Sequence, residues 1–341
     1  MRALVTGAAG FIGSHLTDHL LKRGAEVVAV DSFTSSYARR NKELNLASSV
    51  GHPRCTFIEG DLAELDLSQI LPVVDYVFHE AAQAGVRTSW GPAFESYLRN
   101  NILATQRLLE ATRGTPIKKF IYASSSSVYG DADIFPTPEG TRPSPISPYG
   151  VTKLTGEQLG LVYWQQFQVP VVILRYFTAY GPRQRPDMAF HIFIQSLLIG
   201  RPIEIYGSGE VSRDFTYVGD VVNANRLAAE RGSPGRIYNI GGGAEVTLNE
   251  VIETLCSLTG RSIRARHRQK RAGDARRTAA DITLAKRELR YRPRTRLAEG
   301  LKEQIRWVEE LIHSQVAVEG VTKAAVEGVT KAVAEGTVAG P

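Results

Sequence analysis

The chain has 341 residues, 43% of them hydrophobic and 22% charged, with a formal net charge of +6. That length calls for one large α/β unit with an embedded lobe, or for two domains. No run of about 18 apolar residues argues for a membrane span, and two cysteines, Cys55 and Cys256, imply no disulfide framework and fit a reducing cytoplasm.

The chain begins MRALVTGAAGFIG, with one Arg and early glycines, which reads as a first buried strand rather than a signal peptide. Strand-like runs follow at Arg2–Thr6, Glu26–Val30, Cys55–Glu59, Tyr76–His79, Phe120–Ser124 and Val171–Arg175. Their near-continuous apolar character suits strands buried on both faces of a parallel sheet. Amphipathic stretches at His15–Arg23, Asn101–Arg113 and Tyr149–Phe167 alternate with them. The expected fold is a doubly wound parallel α/β sheet over 1–175, with a smaller C-terminal substrate-binding lobe over 176–313. Part of 216–241 should return to the main sheet, and a final helix is expected at Ala298–His313.

Residues 314–341 differ in kind. The stretch Ala317–Ala324 reads AVEGVTKA, and Ala325–Ala332 repeats it residue for residue. A period of eight fits neither a heptad nor a straight helix, and each repeat carries a Gly. A membrane-surface helix is one reading, and a weakly structured appendage is preferred. The basic run Arg261, Arg264, Arg266, Arg268, Lys270 and Arg271 has no interleaved aromatics and no nucleic-acid-binding motif, so no nucleic-acid partner is expected.

The motifs carry the chemistry. Gly7, Gly10 and Gly13 form G-x-x-G-x-x-G between the first strand and the first helix, where glycines admit a pyrophosphate to a helix N-terminus. Asp31 ends the second strand, placed to meet an adenosine ribose and to repel a 2′-phosphate, which favours NAD over NADP. Arg39 and Arg40 are read as surface residues. Asp61 and Leu62 follow the third strand, where they can bracket adenine. Tyr149 and Lys153 stand i, i+4 in SPYGVTK and share a helix face. A phenol titrates near pH 10, and a neighbouring ammonium would lower that to give a usable base. Ser124–Ser127 close a strand upstream and can set a hydroxyl beside it. The seven histidines show no metal-ligand spacing, so no metal is expected.

Together, TGAAGFIGSHL, HEAAQAGVR, YASSSSVYG, SPYGVTK, RYFTAYGPRQRPDMAF, RDFTYVGD and NIGGG resemble the extended short-chain dehydrogenases/reductases of the nucleotide-sugar epimerase class, over residues 1 to about 313. The resemblance implies an NAD site lined by Phe11, Ile12, Asp31, Asp61, Leu62, Ala81, Ala82, Asn100, Tyr149 and Lys153, with Tyr176 close to the nicotinamide. It implies catalysis by Tyr149, Lys153 and Ser125, with Ser126 as the alternative hydroxyl. Arg213, Arg271 and Asp274 would hold UDP. Dehydratases of the class carry Asp-Glu where this chain has Ser126 and Ser127, which argues against dehydration. Thr178 and Arg185 resemble bacterial UDP-glucuronate 4-epimerases, in which matching residues lie near the sugar carboxylate. Arg87, Ser126 and Ser127 complete the expected substrate contacts. A homodimer, pairing the helices near Asn101–Arg113 and Tyr149–Phe167, is also implied. The neutral UDP-hexose epimerases and UDP-glucuronate decarboxylases of the class remain open, as does a non-catalytic NAD-binding regulator.

Overall fold

In the computed structural model, which describes residues 1–269, 273 and 275–314, the apolar runs pair in parallel. The strands are β1 Arg2–Thr6, β2 Glu26–Asp31, β3 Cys55–Glu59, β4 Tyr76–His79, β5 Lys119–Ser125, β6 Val171–Tyr176, β7 Thr178–Tyr180, β8 Ile203–Tyr206, β9 Ser212–Tyr217, β10 Ile237–Ile240, β11 Glu245–Thr247 and β12 Ala265–Arg268. Seven of them form one sheet in the order β10-β6-β5-β4-β1-β2-β3, every pair parallel. All six residues of β6 are buried, as a strand covered on both faces requires. The order turns back between β1 and β4, and the crevice at the carboxyl ends of those strands is where a doubly wound sheet takes its ligand. This is the expected doubly wound fold.

Two apolar layers cover the sheet. One gathers Leu16, Leu20, Phe78, Val221 and Leu227 under the helices Phe11–Lys22 and Val218–Arg231. The other gathers Leu4, Leu108, Leu109, Phe120 and Tyr163 under the opposite helices. A third cluster, with Phe190, Ile194, Val251, Leu301 and Val308, lies outside the sheet. It is built on the helices Ala189–Ile199, Leu248–Thr259 and 297–314 and on two small sheets, β11-β9-β7 and β12-β8.

One helix differs from its sequence reading. The stretch expected as a single helix at Asn101–Arg113 starts earlier, with Phe94–Tyr97, widens to a π-helical turn at Leu98–Leu103, and resumes as Ala104–Ala111. The wide turn has a tertiary cause. The Asn101 side chain accepts from Gln83 N at 2.7 Å and donates to Gln83 O and Thr152 Oγ1 at 3.0 and 2.9 Å. Such turns recur at functional sites, and this one leaves Asn100 on the crevice. Among the described residues no helix is long and apolar enough to cross a membrane. Arg271, Asp274 and the repeats beyond residue 314 lie outside the described residues.

Candidate active site

Two adjoining cavities open on the carboxyl ends of the sheet. The first is lined by Gly7, Gly10, Phe11, Ile12, Gly13, Asp31, Asp61, Leu62, Ala81, Ala82, Asn100, Tyr149, Lys153 and Tyr176, together with Glu80, Tyr37, Lys42 and Arg185. The fourteen residues named first are the expected cofactor residues. The second cavity is lined by Arg87, Ser126, Ser127, Thr178, Arg185, Asp187 and Arg213 among others. Arg185 belongs to both.

The glycine loop is packed to the limit. Gly7 has φ +69°, and a Cβ there would meet Ala81 N at 2.7 Å; one on Gly13 would meet Gly7 O at 2.1 Å. Helix Phe11–Lys22 can therefore start directly against β1, and its N-terminal Gly10 brings no capping side chain. Open backbone N–H groups and the positive end of the helix face the cavity, a ready anion site. Asp31 is fixed at the end of β2 by Ala9 N (3.0 Å) and Phe33 N (2.8 Å). Burial raises its pKa, and those bonds with Lys42 pull it back down. Nearby, the Tyr37 hydroxyl is buried without a hydrogen-bond partner, a donor still available to a ligand. Cradle, anion site, ribose-height carboxylate and orphan hydroxyl fit a dinucleotide. Asp61 holds its place differently, accepting from Ala63 N at 2.8 Å and Arg99 Nε at 2.9 Å.

Ser147 caps the helix Pro148–Phe167 by accepting from Gly150 N at 3.1 Å, and Pro148 fits the first turn. Tyr149 and Lys153 are thereby one turn apart above β5. Burial pushes the Tyr149 phenol up; hydrogen bonding with Ser125 and the charge of Arg185 pull it down. The Lys153 ammonium, expected to do that, is turned toward the sheet instead, donating to Ala123 O at 2.7 Å. Burial lowers Lys153 to about 8 despite Glu80 and Glu157. Ser125 Oγ accepts from Ser127 N and donates to Ser127 Oγ, both at 3.1 Å. Ser126 and Ser127 line the second cavity while Ser125 pairs with the phenol.

Arg185 is less free than its sequence position suggests. Its Nε and Nη2 edge is taken by Asp187, both contacts at 2.9 Å, which leaves the Nη1 side for a ligand. Arg183, two residues earlier, pairs with Asp18 at 2.8 Å and ties its loop to the first helix. The Arg87 guanidinium lies over the Tyr206 ring at 4.9 Å. Arg213 donates to Ser212 O at 2.9 Å and to Ala275 O. Sequence reading missed Glu80, which accepts from Tyr176 Oη at 2.7 Å. A carboxylate at the buried end of a parallel strand, just before the alanines of HEAA, was the available signal.

Residues 3–241 match the model of the NAD dependent epimerase/dehydratase family, and the chain belongs to that family. It is 46% identical to a Bacillus subtilis protein described as an uncharacterized UDP-glucose epimerase, YtcB, covering 92% of this chain and all of that one. It superposes on the UDP-glucuronic acid 4-epimerase of Bacillus cereus, solved with UDP-glucuronic acid and NAD, at TM-score 0.89 and 44% identity, covering 91% and 100% of the two chains. MoeE5, solved with NAD and either UDP-glucuronic acid or UDP-glucose, is also 44% identical with TM-score 0.82; the pairing with its UDP-glucose complex covers 92% of this chain and 100% of that one.

Proposed function

We propose that this chain is an NAD-dependent UDP-glucuronate 4-epimerase, interconverting UDP-glucuronate and UDP-galacturonate by transient oxidation at C4. The observation that carries the reading is the grouping of Thr178, Arg185, Ser126 and Ser127 around one cavity that adjoins Tyr149. The 44%-identical Bacillus cereus enzyme supports it.

NAD, when bound, accepts a hydride from C4 and returns it. The open N–H groups of Phe11 and Ile12 would hold its pyrophosphate and Asp31 its ribose, with Asp61 and Leu62 at the adenine. Tyr149 takes the proton of the C4 hydroxyl and later returns it, while Ser125 hydrogen-bonds the same oxygen. Lys153, its ammonium turned toward Ala123 O, lines the cofactor cavity one helical turn from the phenol and would supply positive charge there. Arg213 anchors UDP, so the 4-keto sugar can turn and present its other face. That intermediate is a β-keto acid, which loses CO₂ when its carboxylate stands perpendicular to the carbonyl plane. Thr178 and the free side of Arg185 would hold the carboxylate away from that orientation.

A neutral UDP-hexose is the second reading, favoured by the Arg185–Asp187 pair, which spends one edge of the guanidinium inside the cavity. The two are separated by kcat/KM for UDP-glucuronate against UDP-glucose, before and after Arg185→Met. A preference for UDP-glucuronate that falls in the variant supports the assignment; a wild-type preference for UDP-glucose overturns it.

We also take 1–175 as the cofactor domain, with the 216–241 segment returning to it, and 176–313 as the substrate lobe. The active form would be a homodimer. Leu98 and Leu103 on the π-helical stretch, and Val151 and Val162 on Pro148–Phe167, are exposed on the helices expected to pair. The unpaired state of Cys55 and Cys256 agrees with a cytoplasmic enzyme.

A further inference from the structure

One carboxylate in the cofactor cavity has no part in the chemistry described so far. Glu80 stands where β4 ends and lines the same cavity as Tyr149 and Lys153. Tyr176 Oη donates to Glu80 Oε1 at 2.7 Å and accepts from Asn225 Nδ2 at 2.7 Å. Asn225 is fully buried and also donates to Val221 O at 3.1 Å. The carboxylate is thus fixed by a relay from β6 and from helix Val218–Arg231.

The groups facing Lys153 leave Glu80 one task. The ammonium touches the Ala123 carbonyl and lies 5.2 Å from the Tyr122 ring centroid. Two carboxylates bear on it, Glu80 and Glu157. Glu157 is already claimed by Arg175, through contacts of 2.8 and 2.7 Å. Beneath Lys153, His79 has both ring nitrogens occupied by the Thr6 and Thr105 hydroxyls. Burial lowers His79 to about 3, so it is neutral. Only Glu80, among the described residues around Lys153, has a negative charge not matched elsewhere. Burial pushes Glu80 up to about 7 and pulls Lys153 down to about 8, so each group depends on the other to stay charged.

We propose that Glu80 is a positioning residue that keeps Lys153 an ammonium, with Tyr176 and Asn225 holding its carboxylate in place. The inference rests on the role of Lys153 given above. It makes the alkaline limit of activity a property of the Glu80–Lys153 pair.

The test uses NAD-saturated protein carrying ¹³Cε-lysine, the Lys153 resonance being assigned by its loss in Lys153→Met. Glu80→Gln removes the charge and keeps an oxygen for Tyr176. The Lys153 titration midpoint falls by about one pH unit in that variant, the lower end of what an opposite charge within ~4–6 Å contributes. The alkaline limb of turnover falls with it, by the same shift in pH. Glu80→Asp, which retains the charge, restores most of the shift and serves if the Gln variant does not fold. An unchanged or raised Lys153 midpoint overturns the proposal. So does an equal loss of turnover at every pH, which would mean that Glu80 only supports Tyr176. The titration needs no sugar, so it decides the matter even if UDP-glucuronate is not the substrate.

Discussion

Gly13→Ala tests the claim that the glycine loop exists to bring a helix end onto the cofactor. The added Cβ would lie 2.1 Å from Gly7 O, against 3.4 Å or more for an ordinary contact. Both sides of that contact are backbone, so no side chain can swing away. The helix start must retreat by roughly 1.3 Å, the difference between those two distances. Overpacking of this kind costs about 1–3 kcal/mol of stability. The same retreat draws the open N–H groups away from the pyrophosphate. Losing one hydrogen bond to a charged acceptor costs about 1.5–3 kcal/mol, a weakening of roughly 10- to 150-fold in NAD affinity. Calorimetric titration with NAD measures it, with circular dichroism to confirm that the variant is folded. A folded variant with unchanged affinity would refute the reasoning, since the loop could then tolerate a methyl group at its tightest point.

Three further outcomes are expected. Tyr149→Phe lowers turnover by about 10²–10⁴-fold, the usual share of a positioned proton-transfer group, with little change in NAD affinity; residual turnover near wild type would remove the phenol from the mechanism. Glu157→Gln strands the Arg175 guanidinium, whose side chain is 2% exposed, and destabilises the fold by about 3–5 kcal/mol in denaturant unfolding. Replacing both residues with methionine recovers most of that, and a single-variant cost below about 1 kcal/mol would contradict it. His79 titrates near 3 when folded and near 6.5 when unfolded, so the unfolded chain takes up the proton first as pH falls. Between pH 6.5 and 5 the wild type therefore loses about 1.6 kcal/mol that a His79→Gln variant keeps, and parallel pH profiles of the two would count against a buried neutral imidazole.

Much of this was legible in the sequence, for particular reasons. Apolar runs such as the VVIL of Val171–Arg175 read as buried strands because a strand covered on both faces has no polar side to alternate. The glycine loop, Asp31 and the Tyr149–Lys153 pair follow from local spacing, which one strand and one helix fix. Tertiary causes hid the rest. The wide turn at Leu98–Leu103 answers to Gln83 and Thr152, distant in the chain from Asn101. Strand β12 is exposed along its whole length, so it carries no hydrophobic pattern to read. The Arg185–Asp187 pair is visible as two nearby charges, but only the folded loop reveals that they meet. The turning of Lys153 toward Ala123, in the cavity that Glu80 also lines, depends on β4 and β5 lying side by side.

The central claim is tested most directly by incubating the purified protein with UDP-glucuronate and NAD and following the products by proton NMR. Conversion to UDP-galacturonate up to an equilibrium mixture, with no net NADH and no CO₂, is the expected result. Formation of UDP-xylose or a 4-keto pentose would contradict it, because Thr178 and Arg185 would then fail to protect the β-keto acid.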